Sequence, residues 1–209
     1  GIAACAALAL CEPQQTGIGG DCFALVAPAG GEVAAFNGSG RLPSRFEKSA
    51  SEDPLTPLRR NDAAVVTIPG AIDAWCALLE RFGSLPIGEV LEPDIELAAT
   101  GMPLQERFTF DIEVHLYMVR EDAAFARLLL DGDKPKPVGS LYTNPALART
   151  LERVATQGRS GFYEGEIAER LCAFLNARGG AHQPRDFAEH HGEFTAPVSL
   201  DLRGHRVDQ

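Results

Sequence analysis

The sequence predicts an α+β chain, with strands gathered near its two ends and helices filling the middle. Three observations carry this. A glycine-rich turn runs into two short apolar strands, Cys22 to Ala27 and Glu32 to Asn37, joined through Pro28-Ala-Gly-Gly31. From Pro69 onward the apolar residues recur at helical rather than strand spacing. Near the end, Val198 to Leu202 and His205 to Val207 return to a strand pattern.

Taken in order, residues 1 to 11 form a small-residue, Ala-rich helix. Arg41 to Asp62 is polar, carries Pro43, Pro54 and Pro57, and reads as loop. Ala63 to Ile68 reads as a third short strand. In the helix after Pro69, Ile72, Trp75, Cys76, Leu79 and Phe82 share one face, and Gly83 stands just past its end. Glu89 to Thr100 is helical, but Pro93 predicts a break into two short helices. Gln105 to Leu130 reads as helix with interruptions, and Phe108, Ile112, Leu116 and Val119 lie on its inner face. Asn144 as N-cap, Pro145 at the first position and Gly158 after the last turn bracket a further helix, which buries Leu147, Leu151 and Val154. Glu166 to Arg178 repeats the pattern with Ile167, Leu171, Phe174 and Leu175. The helical region thus spans about 70–190, with strands at about 22–37, 63–68 and 198–207.

Composition narrows the function classes. A net charge of -10 over 209 residues disfavours nucleic acid and anionic membrane as partners. No apolar run approaches the roughly 20 residues of a membrane-spanning helix. The five cysteines (Cys5, Cys11, Cys22, Cys76 and Cys172) are odd in number and lack Cys-x-x-Cys spacing. That favours small buried apolar residues in a reducing, cytoplasmic compartment over a periplasmic or secreted disulfide framework. Gly1 begins in mid-helix without a cap and Gln209 stops within a strand pattern. Residues 1–209 are therefore expected to form a single piece of a larger domain, cut at both ends.

The densest signal is Glu12-Pro-Gln-Gln-Thr-Gly-Ile-Gly-Gly-Asp-Cys-Phe23, with three glycines in four positions. Such density predicts left-handed backbone or close approach of two chains. A phosphate-binding loop is excluded, since no Lys-Ser/Thr follows and the turn leads into a strand. Glu12 is expected to order this turn by accepting backbone N–H groups.

This segment resembles the start of the large chain of the γ-glutamyltransferases, N-terminal-nucleophile (Ntn) hydrolases made as self-cleaving precursors. The resemblance continues in order through Asn37-Gly-Ser-Gly-Arg-Leu-Pro43, Ile68-Pro69-Gly70, Phe82-Gly-Ser-Leu-Pro86, Leu91 to Pro103, Asn144 to Leu151 and Gly158 to Arg170. It covers almost the whole chain. It implies part of an αββα Ntn fold and an amidohydrolase that cleaves γ-glutamyl amides such as glutathione through an acyl-threonine intermediate. Water or an amine then takes the acyl group. It also implies that the nucleophile heads a separate small chain beyond Gln209. No catalytic residue is therefore expected in this piece, and no metal or cofactor. None of its threonines stands in the family's acidic-Thr-Thr-His-Phe context.

The resemblance further implies a carboxylate-binding arginine in the loop after the second strand, a role that suits the planar guanidinium. Aligned on Pro43, that position holds Ser39, and Arg41 is offset by two. This matches a GSGR-type branch. Ser39 and Arg41 are the candidate substrate-binding residues. Two alternatives stand beside the first reading: an Ntn acylase acting on another amide, such as an acylated β-lactam, or a non-catalytic binding module. His182, His190, His191 and His205 fit no zinc spacing and read as surface or helix-end residues.

Overall fold

The computed structural model describes residues 1–46 and 62–209. In chain order, α1 (Ile2–Cys11) leads to β1 (Cys22–Val26) and β2 (Ala34–Gly38). Then come α2 (Ala71–Phe82), α3 (Ile87–Thr100), β3 (Met102–Pro103), α4 (Glu106–Val114), α5 (Leu116–Glu121) and α6 (Ala123–Leu129). Short strands β4 (Leu130–Asp131), β5 (Lys134–Pro135) and β6 (Leu141–Tyr142) precede α7 (Pro145–Gln157), α8 (Ser160–Tyr163), α9 (Glu166–Asn176) and α10 (Pro184–Ala188). The chain closes with β7 (Glu193–Thr195), β8 (Ser199–Leu202) and β9 (His205–Asp208). Helix and strand mix as an α+β chain. The elements sort into two compact units, one of residues 1–18 and 86–156, the other of residues 19–85 and 157–209. Most of the expected proline-bearing loop falls on residues 47–61, outside the described residues.

In the first unit, the small side chains of α1 allow close packing on α3. Ala6, Ala9 and Leu10 are buried on one side, Leu91 and Ala98 on the other. Pro93 does not split α3 as expected; the helix runs unbroken from Ile87 to Thr100. A proline removes one backbone N–H and costs about 3 kcal/mol, and here the buried residues on both sides of it hold the helix together. Gly101, at φ 96°, ends α3 where an added Cβ would stand 2.8 Å from the Tyr142 carbonyl, so only glycine fits. Asn144 caps α7 as expected, with the Leu147 N–H donating to Asn144 Oδ1 at 3.0 Å. Leu147, Leu151 and Val154 are buried, and Gly158 takes φ 62°.

The segment after α1 is ordered locally. The Glu12 carbonyl, rather than its side chain, accepts the N–H groups of Gln15 and Thr16 at 2.9 and 3.0 Å. Gln14 Nε2 donates to Asp111 Oδ2 at 3.1 Å, and Arg107 Nε donates to the same oxygen at 2.8 Å. The bond from Arg107 holds the Asp111 carboxyl below the usual carboxylate range.

The second unit is built on an antiparallel sheet in the order β1-β2-β7. In the β1–β2 hairpin Cys22 faces Gly38 and Val26 faces Ala34. The third strand is not Ala63 to Ile68. Ala63–Val65 forms a 3₁₀ turn instead, and the stretch sends its hydrogen bonds elsewhere. Ile68 N–H donates to the Arg41 carbonyl, and the Val66 carbonyl lies 2.8 Å from His182 Nε2. Its apolar character fills the core through Ala63 and Ile68 rather than extending a sheet. The place beside β2 goes to β7, where Phe194 pairs with Phe36 at a ring separation of 4.9 Å.

On α9 the inner face is centred on Ala168 and Cys172, while Phe174 is exposed with the Arg178 guanidinium over its ring. β8 and β9 form a hairpin through Arg203 and Gly204, both with positive φ, as a two-residue primed turn requires. Phe23 and Leu25 on β1 are exposed, while Val33, Ala35 and Val65 are half-buried.

Candidate active-site loop

The loop Asn37 to Pro43 leaves the end of β2 and is fixed along its backbone. Asn37 Oδ1 accepts the Ser39 N–H at 3.1 Å, and Asp21 Oδ1 accepts the Gly40 N–H at 2.7 Å. The Arg41 carbonyl accepts the Ile68 N–H at 2.9 Å. Ser44 closes the loop by donating its N–H to Asp186 Oδ1 at 3.2 Å.

Sequence chemistry makes this threading possible. A Cβ on Gly38 would stand 2.5 Å from the Cys22 carbonyl, one on Gly40 2.3 Å from the Ile68 carbonyl, and one on Gly70 1.9 Å from the Gly38 carbonyl. Each distance is too short for any side chain. The end of the glycine turn joins the same junction, since the Gly20 carbonyl accepts the N–H groups of Gly70 and Ala71 at 3.0 Å each. Gly17 and Gly19 behave differently from expectation. Neither takes a left-handed conformation, and a Cβ on either would meet nothing within 4 Å. Close backbone approach is required at Gly38, Gly40 and Gly70 instead.

Of the two predicted site residues, Ser39 is half-buried and Arg41 exposed. The loop brings them together at one end of β2, their backbones pinned and the Arg41 side chain exposed. Arg45, two residues past Pro43, is exposed as well.

Behind the loop lies a polar network that the sequence reading missed. Asp73, in the first turn of α2, is buried at 4% exposure. Arg159 Nε donates to Asp73 Oδ1 at 2.6 Å, the Gly192 N–H donates to Asp73 Oδ2 at 2.7 Å, and His191 Nδ1 lies 3.5 Å from Oδ1. Arg159 Nη2 also donates to the carbonyls of Ala188, at 3.1 Å, and His190. Tyr163 accepts the Asp73 N–H at 3.1 Å and donates its hydroxyl to the Pro69 carbonyl at 2.6 Å. One carboxylate thereby ties the start of α2 to the chain entering β7, and so holds β7 beside β2.

His182 and His190 are buried at 2% and 1% exposure rather than lying at the surface. His190 stacks on Tyr163 at 5.9 Å. Burial, reinforced by the Arg159 and Arg41 charges, holds its imidazole below the usual histidine pKa, while Asp73 opposes that shift. The sequence signal that could have found the network is Asp73 itself. That signal is weak, because an acid in the first turn of a helix is already favoured by the free N–H groups and the helix dipole and need not have a remote partner.

Burial pushes the Cys76 thiol up to about 11 and also raises Cys11 and Cys172. At neutral pH these three are thiols and not nucleophiles. Among the described residues, no group of three or more His, Cys, Asp or Glu is placed to hold a metal ion.

Comparison with known proteins identifies the family. The family model described as Gamma-glutamyltranspeptidase matches residues 1–209. The glutathione hydrolase-like YwrD proenzyme of Bacillus subtilis is 34% identical over 210 residues, covering 100% of this chain and 40% of that protein. The cephalosporin acylase from Bacillus halodurans superposes with a TM-score of 0.91 at 31% identity, covering 99% of this chain and 40% of that one. The gamma-glutamyltranspeptidase of Helicobacter pylori superposes with the same TM-score of 0.91 at 24% identity, covering 99% of this chain and 61% of that one, and so shares its fold. The chain spans about two fifths of the length of the curated relatives it matches. With its motifs, its pinned loop and a match over its full length, the chain belongs to the gamma-glutamyltranspeptidase family.

Proposed function

We propose that this chain is part of the large chain of a self-cleaving Ntn amidohydrolase that acts on γ-glutamyl or closely related amides. In this reading a threonine freed at the head of the small chain attacks the amide carbonyl, and its own α-amine takes the hydroxyl proton. The amine leaves, an acyl-threonine forms, and water or a second amine releases the acyl group. The large chain supplies the pocket that holds the acyl portion. The observation that carries this reading is the loop Asn37 to Pro43, fixed along its backbone while the Arg41 side chain stays exposed. A guanidinium held in this way suits the α-carboxylate of a γ-glutamyl group.

A second reading keeps the chemistry and changes the acyl group. Ser39 occupies the position where the resemblance implies the carboxylate-binding arginine, and the 31%-identical structure is a cephalosporin acylase. An acyl group without an α-amino acid head would not need that arginine.

The test is expression of the full-length protein. It should cleave itself into two chains and turn over γ-glutamyl-p-nitroanilide, while residues 1–209 alone release no p-nitroaniline. Preference for an acyl-p-nitroanilide without the α-carboxylate would select the second reading. A full-length protein that stays uncleaved and hydrolyses neither amide would overturn both.

A further inference from the structure

We infer that His190 is a positioning residue for the candidate loop, and that one of its ring nitrogens holds the Gly38–Gly70 junction through a bridging water. This inference rests on the functional reading above. His190 is 1% exposed, and neither ring nitrogen has a hydrogen-bond partner among the described residues. A buried imidazole carries at least one N–H donor, and leaving it unpaired is costly. A Cβ built on Gly70 would lie 3.5 Å from His190 Nε2 and 1.9 Å from the Gly38 carbonyl oxygen. The two atoms therefore flank the same backbone carbon, within the span that one water bridges with two ordinary hydrogen bonds.

The ring itself has little freedom. It stacks on Tyr163, and its own carbonyl is held by Arg159. The groups that set its charge are Asp73 on α2, Arg159 before α8, Arg41 on the loop, and the adjacent His191. Tyr163, on α8, is held as a neutral phenol by burial. Burial first, and then Arg159, Arg41 and His191, disfavour imidazolium, with Asp73 alone opposing, so His190 works as the neutral ring. Because its folded pKa lies below the ordinary value, acidification protonates the unfolded chain first. The junction is therefore at full strength above about pH 6.5 and weakens as pH falls through the depressed folded value.

The experiment uses the full-length protein and two variants, His190→Phe and His190→Gln. Phenylalanine keeps the ring and the stacking but removes both nitrogens. Glutamine can restore a hydrogen-bonding group near Nε2 without titrating. The inference expects His190→Phe to lose roughly five- to tenfold in kcat/KM, with Tm kept within a few degrees. His190→Gln should recover most of that loss. The wild-type rate should fall on the acid side with a pKa below 6.5, and that limb should vanish in His190→Gln. Wild-type kcat/KM and an unchanged pH profile in His190→Phe would overturn the inference. So would equal losses in both variants, which mark a packing role alone. A wild-type protein without amidase activity would instead refute the functional reading, a separate outcome.

Discussion

Asp73 and Asp94 are two aspartates of nearly equal burial, at 4% and 5% exposure, on neighbouring helices in sequence, and they behave in opposite ways. Asp73 uses both oxygens: Arg159 bonds one and the Gly192 amide bonds the other. Asp94 sits in the middle of α3, and its Oδ2 has no partner among the described residues. Burial pushes its carboxyl up to about 6. The difference shows that burial of an acid is not itself a structural device. A carboxylate becomes a clamp when its partners come from separate segments that must be held together, as α2, the residue before α8 and the chain entering β7 are by Asp73. Without such partners it is a local cost carried by the surrounding packing.

Breaking the clamp gives the largest expected effect. Asp73→Ala leaves the half-buried Arg159 without its carboxylate, and loss of one partner of a pair that is only partly buried costs up to about 3 kcal/mol. Thermal unfolding of the full-length protein should show a clear drop in Tm. A change below about 1 kcal/mol would mean that the backbone carbonyls alone satisfy Arg159.

Removing the unpaired acid should act in the opposite direction and more weakly. Asp94→Ala places a strong helix former in α3 and is expected to raise stability by about 1 kcal/mol at pH 7.5. The sign follows from the raised folded pKa. The penalty for ionised Asp94 is absent below about pH 4, grows up to about pH 6 and is constant above. The gain should therefore shrink as pH falls from about 6 to about 4. A gain independent of pH would place its origin in helix propensity rather than in the buried charge.

The same contrast explains what was legible in the sequence. Local rules placed α2, α7 and the β1–β2 hairpin, because Asn144, Pro145 and the Pro28 to Gly31 turn act within a few residues of themselves. They failed at Pro93 and at Ala63 to Ile68, where contacts distant in sequence decide: packing on α1 for α3, and the Arg41 carbonyl and His182 for the apolar stretch. The Asp73 network was invisible because its partners are remote. Arg159 lies 86 residues away and Gly192 lies 119 away, so His190 reads as a surface residue although it is buried beside the network, while His191 is exposed as expected. The loop Asn37 to Pro43 was legible by resemblance. The reason its glycines are needed, backbone against backbone at Gly38, Gly40 and Gly70, was not.

We propose that a loop fixed from behind presents Arg41 to the acyl group of the substrate. This is tested most directly by kcat/KM of Arg41→Ala in the full-length protein on a matched pair of amides, one with the α-carboxylate and one without. A charge-assisted contact is worth about 1.5–3 kcal/mol, so the variant should lose roughly tenfold to a hundredfold on the carboxylate substrate and little on its partner. Unchanged turnover of both substrates would contradict the account and return Arg41 to a solvated surface residue.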